Sequence, residues 1–363
     1  MPKSTKSELS NARHLAPHVQ RPTITDLESL TGFSRSTISR AFNPKASVKK
    51  GTRDKIIKAA GEIGFSPHPG ARMIRSQRSF RWGLLLPHLE NSEYAQLVET
   101  LDAEAHRQGT NFVLGLTHYD AKVESSFLRH WAAGEADGVI CDAVSWTENG
   151  DLYRQLVDRG YPFMALYYAP DGYSQARRDD YESFCIGLRN LIGMGHRRIA
   201  YVGVDHPQAK FTNSFCAYKE VLKSHKIEYD ESLVIMNANN RESGVKAWQL
   251  IREMSNAPTA VMAFNDTLAS GIWIGVHADG LSVPKDLSII GSDDIPESRL
   301  MGLTTIRYDR AELARRVLNT LEKMRIEPMG PQIVTMDTYV VMGNSVSPPR
   351  NQSKNGNRKN RNN

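Results

Sequence analysis

Cysteine is scarce in this chain: Cys141, Cys185 and Cys216 stand far apart in 363 residues, and no CxxC pair occurs. That leaves no basis for a disulfide framework or a zinc site, and it suits a reduced, cytoplasmic setting. Long apolar runs are missing as well, with nothing near the ~20 residues that cross a bilayer. The first twenty residues, MPKSTKSELSNARHLAPHVQ, lack the apolar core of a secretory leader. HExxH, G-x-S-x-G, Walker A and G-x-G-x-x-G motifs are all absent; GMGHRR (193–198) departs from the last of these and precedes a strand pattern. No enzyme, metal, cofactor or membrane partner is therefore expected.

What is present is an uneven charge. The net charge is +6, yet residues 1–81 hold 16 Lys/Arg against 5 Asp/Glu, and the stretch 344–363 adds 5 basic residues and no acid. The intervening body is acidic. A basic head on an acidic body implies that the head meets a polyanion while the body does something else. The length suits two or three domains with a sizeable core.

The head carries TDLESLTGFSRSTISRAFN from Thr25 to Asn43. Thr23 and Asp26 have capping-box spacing, with Asp in place of the commoner Glu. Ile24, Leu27 and Leu30 give one apolar face to a short helix. Gly32 suits the left-handed turn that follows, and Ser34 suits an N-cap for a second helix whose Ile38, with Phe33, turns inward. A third helix is predicted from about Lys50 to Ile63, with Ile56, Ile57, Ala60 and Ile63 at helical spacing and Gly64 as its stop. None of these pieces is long enough to stand alone, so they share one small core: a helix-turn-helix pattern. Arg35, Ser36 and Arg40 project from the second helix, the one that enters a major groove in such modules.

The stretch TITDLESLTGFSRSTISRAFNPKASVKKGTRDKIIKAAGEIGFSPHPGARMIRS resembles the head of the lactose-repressor (LacI/GalR) family of bacterial transcription regulators. The resemblance rests on T-x-x-D, G-F-S-x-x-T-I-S-R, Thr52–Arg53, Gly64–Pro67 and Ala71–Ile74. It implies a DNA-contacting set of Thr23, Ser34, Arg35, Ser36, Thr37, Arg40, Asn43 and Thr52. It also implies a hinge helix with Ala71, Arg72, Ile74 and Arg75, Ile74 wedging into a base step in the minor groove. Pro69 and Gly70 depart from the family at the hinge start, where they disfavour a helix.

From Trp82 the pattern changes to short apolar runs alternating with amphipathic helical segments at 92–108, 149–159, 181–195, 213–225 and 267–280. This is the pattern of an α/β body with parallel sheets covered on both faces, in two lobes with a cleft between strand C-termini. The segments 304–310 and 333–343 read as crossovers and a terminal strand. The family resemblance continues through NLIGMGHRRIAYVG (190–203), PTAVMAFNDTLASGIWIGVHADGLSVPKDLSIIGSDDI (258–295) and GLTTI (302–306). It implies a periplasmic-binding-protein-like effector domain, a homodimer through the body, a pseudo-palindromic double-stranded operator, and a small-molecule effector that is often a sugar.

By position the effector set is then Tyr94, Tyr168, Lys210, Asn213, Asn265 and Asp293. Asp266 reads as the cap of the following helix, and Asp294 and His196 as structural. Asp180 and Tyr181 begin the second lobe. Ser214 stands where relatives carry an effector-binding arginine, which favours a neutral polyol over an acid. The expected domains are an extension 1–21, a DNA-binding head 22–67, a hinge 68–80, an effector and dimerisation body 81–343, and a disordered basic tail 344–363. A solute-binding or sugar-processing protein of the same α/β fold is the competing reading; it would leave the basic head unexplained.

Overall fold

The computed structural model describes residues 22–43, 46–66, 76, 78–204, 213–237 and 240–350. The chain divides into two compact units between Arg78 and Ser79. The hinge residues Ala71, Arg72, Ile74 and Arg75 lie outside the described residues, as do Lys210, the extension 1–21 and residues 351–363.

In the head, α1 (Ile24–Thr31), α2 (Arg35–Ala41) and α3 (Lys50–Ile63) pack around Leu27, Ile38, Ala41, Ile56 and Ala60. The capping box is formed: Asp26 Oδ2 accepts from Thr23 N at 2.7 Å, and Asp26 N donates to Thr23 Oγ1. Gly32 ends α1 at φ 68, a conformation a side chain resists, and Ser34 Oγ then accepts from Thr37 N to start α2. Leu30 and Ile57 do not join the core; they are 54% and 45% exposed. Leu27, Ile38 and Ile56 are fully buried where the three helices meet.

The body contains β1 (Arg81–Leu86), α4 (Ser92–Arg107), β2 (Asn111–Leu116), α5 (Ala121–His130), β3 (Val139–Cys141), α6 (Gly150–Asp158), β4 (Phe163–Leu166) and β5 (Gln175–Asp179). The second lobe follows with α7 (Tyr181–Gly193), β6 (Ile199–Val204), α8 (Asn213–Ser224), β7 (Val234–Asn237), α9 (Arg241–Glu253), β8 (Ala260–Ala263), α10 (Asp266–Ala278), β9 (Ser288–Ile290) and α11 (Pro296–Met301). The chain ends with β10 (Thr305–Tyr308), α12 (Arg310–Ile326) and β11 (Ile333–Val341). One sheet runs β10-β11-β5-β4-β3-β1-β2 and the other β7-β6-β8-β9. Strands such as RWGLLL are buried after their first residue, as parallel strands covered on both faces must be.

Two expectations are corrected here. The larger sheet is mixed, because β10 pairs with β11 antiparallel. These strands are the crossings: Ile306 and Val340 pack with the second lobe, Tyr308 and Met336 with the first. A third crossing runs from β5 into α7. The body also continues past 343. Ser345 is fully buried, accepting from Thr304 N at 2.8 Å and donating to Ile289 O, and His196 Nε2 lies 2.9 Å from the Ser347 carbonyl. Polar composition suggested a free tail, but its hydroxyls complete the edge of the second sheet.

Leu27→Ala should destabilise the head by about 2–5 kcal/mol, since the cavity lies at the meeting point of three helices with nothing to collapse into it. In calorimetry of the full chain, the head transition should drop while the body transition stays in place.

Candidate functional site

Two surfaces follow from this fold. On the head, Arg35, Ser36 and Arg40 are exposed on α2. Arg35 is not idle: its guanidinium reaches Glu28 Oε2 and Thr25 Oγ1 at 3.3 and 3.1 Å, and its backbone N donates to Glu28 Oε1 at 2.7 Å. Glu28 thus holds Arg35 against α1. The Arg40 side chain has no partner among the described residues, and Asn43 is exposed just beyond α2. Thr23, Ser34 and Thr37 are occupied in the caps of α1 and α2, and Thr52 sits half-buried in the first turn of α3.

In the body, the larger sheet reverses its winding between β1 and β3, and the smaller between β6 and β8. The crevice outside the strand C-termini at such a reversal is where α/β sheets take ligands. At the first reversal stand His88 and Asp142; at the second stands Asn265. Tyr94, buried near the start of α4, donates to Asp142 Oδ2 at 2.6 Å. Its ring meets His88 edge-on at 5.4 Å and lies 6.4 Å from Tyr167.

A buried ionic network joins the lobes beside it. Asp293, held at φ 118, pairs with Arg178 of β5, which also reaches Asp180 at 3.7 Å. Arg310 at the head of α12 donates to the Asp293 carbonyl and to Glu93, which also accepts from Tyr308. Burial pushes the Asp293 carboxyl up, against the lowering pull of the Arg178 guanidinium. Further bonds tie the same edges: Ser92 Oγ to Glu297 at 2.6 Å and Thr267 Oγ1 to Asn91 at 2.9 Å.

Several expected effector residues therefore stand differently. Asn265, not Asp266, caps α10, accepting from Leu268 N at 2.9 Å. Asp266 is fully buried and accepts from Thr305 and from Ile295 N, because the loop after β9 folds over it. Tyr168 is 46% exposed, while its neighbour Tyr167 turns to the aromatic group. Asn213 is exposed at the start of α8, and Ser214 is buried against the Tyr201 hydroxyl at 2.8 Å. Asp294 pairs with Arg299 and Arg307. The sequence reading missed Asp142, Arg178, Glu93 and Arg310. Local pattern marks none of them, although a charged pair inside a short strand (Arg177–Arg178) is a signal of a buried partner.

A helix-turn-helix head ahead of a two-lobed α/β body defines a DNA-binding regulator class. The model of the lacI family of bacterial regulatory proteins matches residues 23–68, and that of a periplasmic binding protein-like domain matches 188–346. The HTH-type transcriptional repressor PurR of Vibrio atlanticus is 27% identical over 331 residues, covering 87% of this chain and 98% of its own. In fold, the lac repressor dimer bound to operator and the anti-inducer ONPF matches with a TM-score of 0.75 at 20% identity, over 90% of this chain and all of that one. The CelR–cellobiose complex matches with a TM-score of 0.66 at 23% identity, again over 90% of this chain and all of that one.

Burial pushes the Asp142 carboxyl up to about 6, and nearby Glu124 adds to the rise. A carboxyl whose folded value exceeds its unfolded value near 3.9 binds protons on folding, so its support for the fold is complete below pH 4 and lost as pH rises through 6. Asp142→Asn should therefore leave stability unchanged near pH 4 and raise it at pH 8, by up to about 2–3 kcal/mol. Paired urea melts at the two pH values check this.

Proposed function

We propose that the protein is a transcriptional repressor that binds a pseudo-palindromic operator as a homodimer, one head per half-site, and whose operator affinity is set by a small molecule at the seam of its two lobes. The observation that carries the DNA reading is the α2 face. Its two arginines stand on a helix whose entry is fixed by Gly32 and Ser34, with Arg40 unpartnered among the described residues and Arg35 braced by Glu28. Arg is the side chain that reads guanine in the major groove by a bidentate contact. The name of the Vibrio relative supports repression, and the lac repressor dimer on operator supports the dimer.

The effector reading rests on the seam. Both winding reversals open there, and the buried ions that join the lobes can exist in a closed, paired form or an opened, hydrated one. Relatives of this fold hold cellobiose and ribose, which supports a sugar-like ligand. Coupling between seam and operator is reciprocal: operator must change ligand affinity by the same factor as ligand changes operator affinity.

Arg40→Ala should weaken binding to the operator by about 5- to 150-fold, equivalent to ~1–3 kcal/mol, and flatten discrimination at one base position while leaving non-specific DNA binding nearly intact. Fluorescence anisotropy on an operator selected from random duplexes measures it. Unchanged operator affinity would remove α2 from the recognition role.

A further inference from the structure

The carboxylates at the lobe seam are not equally satisfied. Asp293 and Asp180 share Arg178; Glu93 has Arg310 and Tyr308. In the first lobe's interior, Glu124 takes Tyr153, Asn149 at 2.7 Å and the Val144 N–H at 2.8 Å. Asp142 is the exception. Among the described residues its carboxylate accepts from the Tyr94 hydroxyl alone, and no cation touches it. Nor is it sealed off, for the residue keeps partial exposure. Among the described residues of this network, the carboxyls of Glu93, Asp142, Asp180 and Asp293 outnumber the guanidiniums of Arg178 and Arg310.

The surroundings of Asp142 are aromatic. Tyr94 bonds it; His88 packs on Tyr94 and accepts or donates to the Tyr119 hydroxyl at 2.9 Å; Tyr167 flanks Tyr94. Two polar atoms of this group, the Tyr167 hydroxyl and His88 Nδ1, are buried without a partner among the described residues. His118 and Tyr119 carry the left-handed backbone, φ 51 and 60, at the end of β2. Desolvation drives His88 toward its neutral form, so it does not supply the missing charge.

From this arrangement, and resting on the effector reading above, we infer that the ligand of the seam carries a protonated amine that seats on the Asp142 carboxylate among the rings of Tyr94, Tyr119 and Tyr167. A neutral hydroxyl would satisfy the open oxygen but leave the charge uncompensated. An ammonium does both, and tyrosine faces attract it further. An anionic ligand meets the acid excess and is disfavoured. A polyol bearing an amine, an amino sugar, combines this group with donors and acceptors for the orphaned Tyr167 and His88 atoms.

The test is titration calorimetry of the full chain at pH 7.5 with matched pairs: glucosamine and glucose, galactosamine and galactose, 1,4-diaminobutane and 1,4-butanediol. The amine of at least one pair should bind at least about tenfold more tightly than its neutral twin. That advantage should vanish in Asp142→Asn, persist in part in Asp142→Glu, and fade as pH drops through about 6. Neutral twins binding as tightly as amines, an amine advantage that survives Asp142→Asn, or no amine binding at all would each overturn the assignment. Should a neutral sugar bind and alter operator affinity, only the charge assignment falls and the effector seam stands.

Discussion

Where its two lobes meet, the body must bury ions. Arg178 comes from the first lobe and Asp293 from the second, and neither can be left alone out of water; removing one partner of such a pair typically costs 3–5 kcal/mol. Arg310 and Glu93 close the network from α12 and α4, and the Asp293 carbonyl is recruited as well. Because these groups are satisfied either by one another or by water, intermediate separations are disfavoured.

The backbone strain agrees with that account. Asp293 and Asp294 both hold positive φ, 118 and 54, without being glycine. Such residues persist only when their surroundings over-determine them. Here the surroundings are explicit: Asp293 N donates to Ile306 O at 2.7 Å, its side chain meets Arg178, and Asp294 is clamped by Arg299 and Arg307. The turn is held by charge from both sides, and it places one carboxylate in each lobe's service.

Much of this was legible in the sequence and some could not be. The head was readable in detail because its signals are local: Thr23 with Asp26, Gly32, Ser34 and Gly64 all act within four residues of their partners. The alternation of strands and helices was readable for the same reason, through periodicity. Strand β5 was not, since QARRD is short and polar, and its burial depends on β4 and β11, the latter more than 150 residues away. Glu93 and Arg310 lie 217 residues apart, so no local rule pairs them. That Asn265 and not Asp266 caps α10 has a different cause. Both residue types cap helices well, and both are buried here; the partners that Ile295 N and Thr305 Oγ1 offer decide that Asp266 is engaged elsewhere.

The strand geometry also explains how the seam and the chain entering the body can share one element. Asp137 precedes β3 and accepts from Ser79 N at 2.6 Å, Ser79 Oγ at 2.7 Å and Phe80 N at 3.0 Å, fixing the path into β1. At the other ends of the same two strands stand His88 and Asp142. The two strands are paired through Gly83–Val139, Leu84–Ile140 and Leu85–Cys141 and are buried along those positions, so they move as one piece. A displacement imposed at the Asp142 end therefore reaches Ser79 without needing a chain of side-chain rearrangements. For the coupling proposed above, this strand pair would be the rigid element between Asp142 and Ser79.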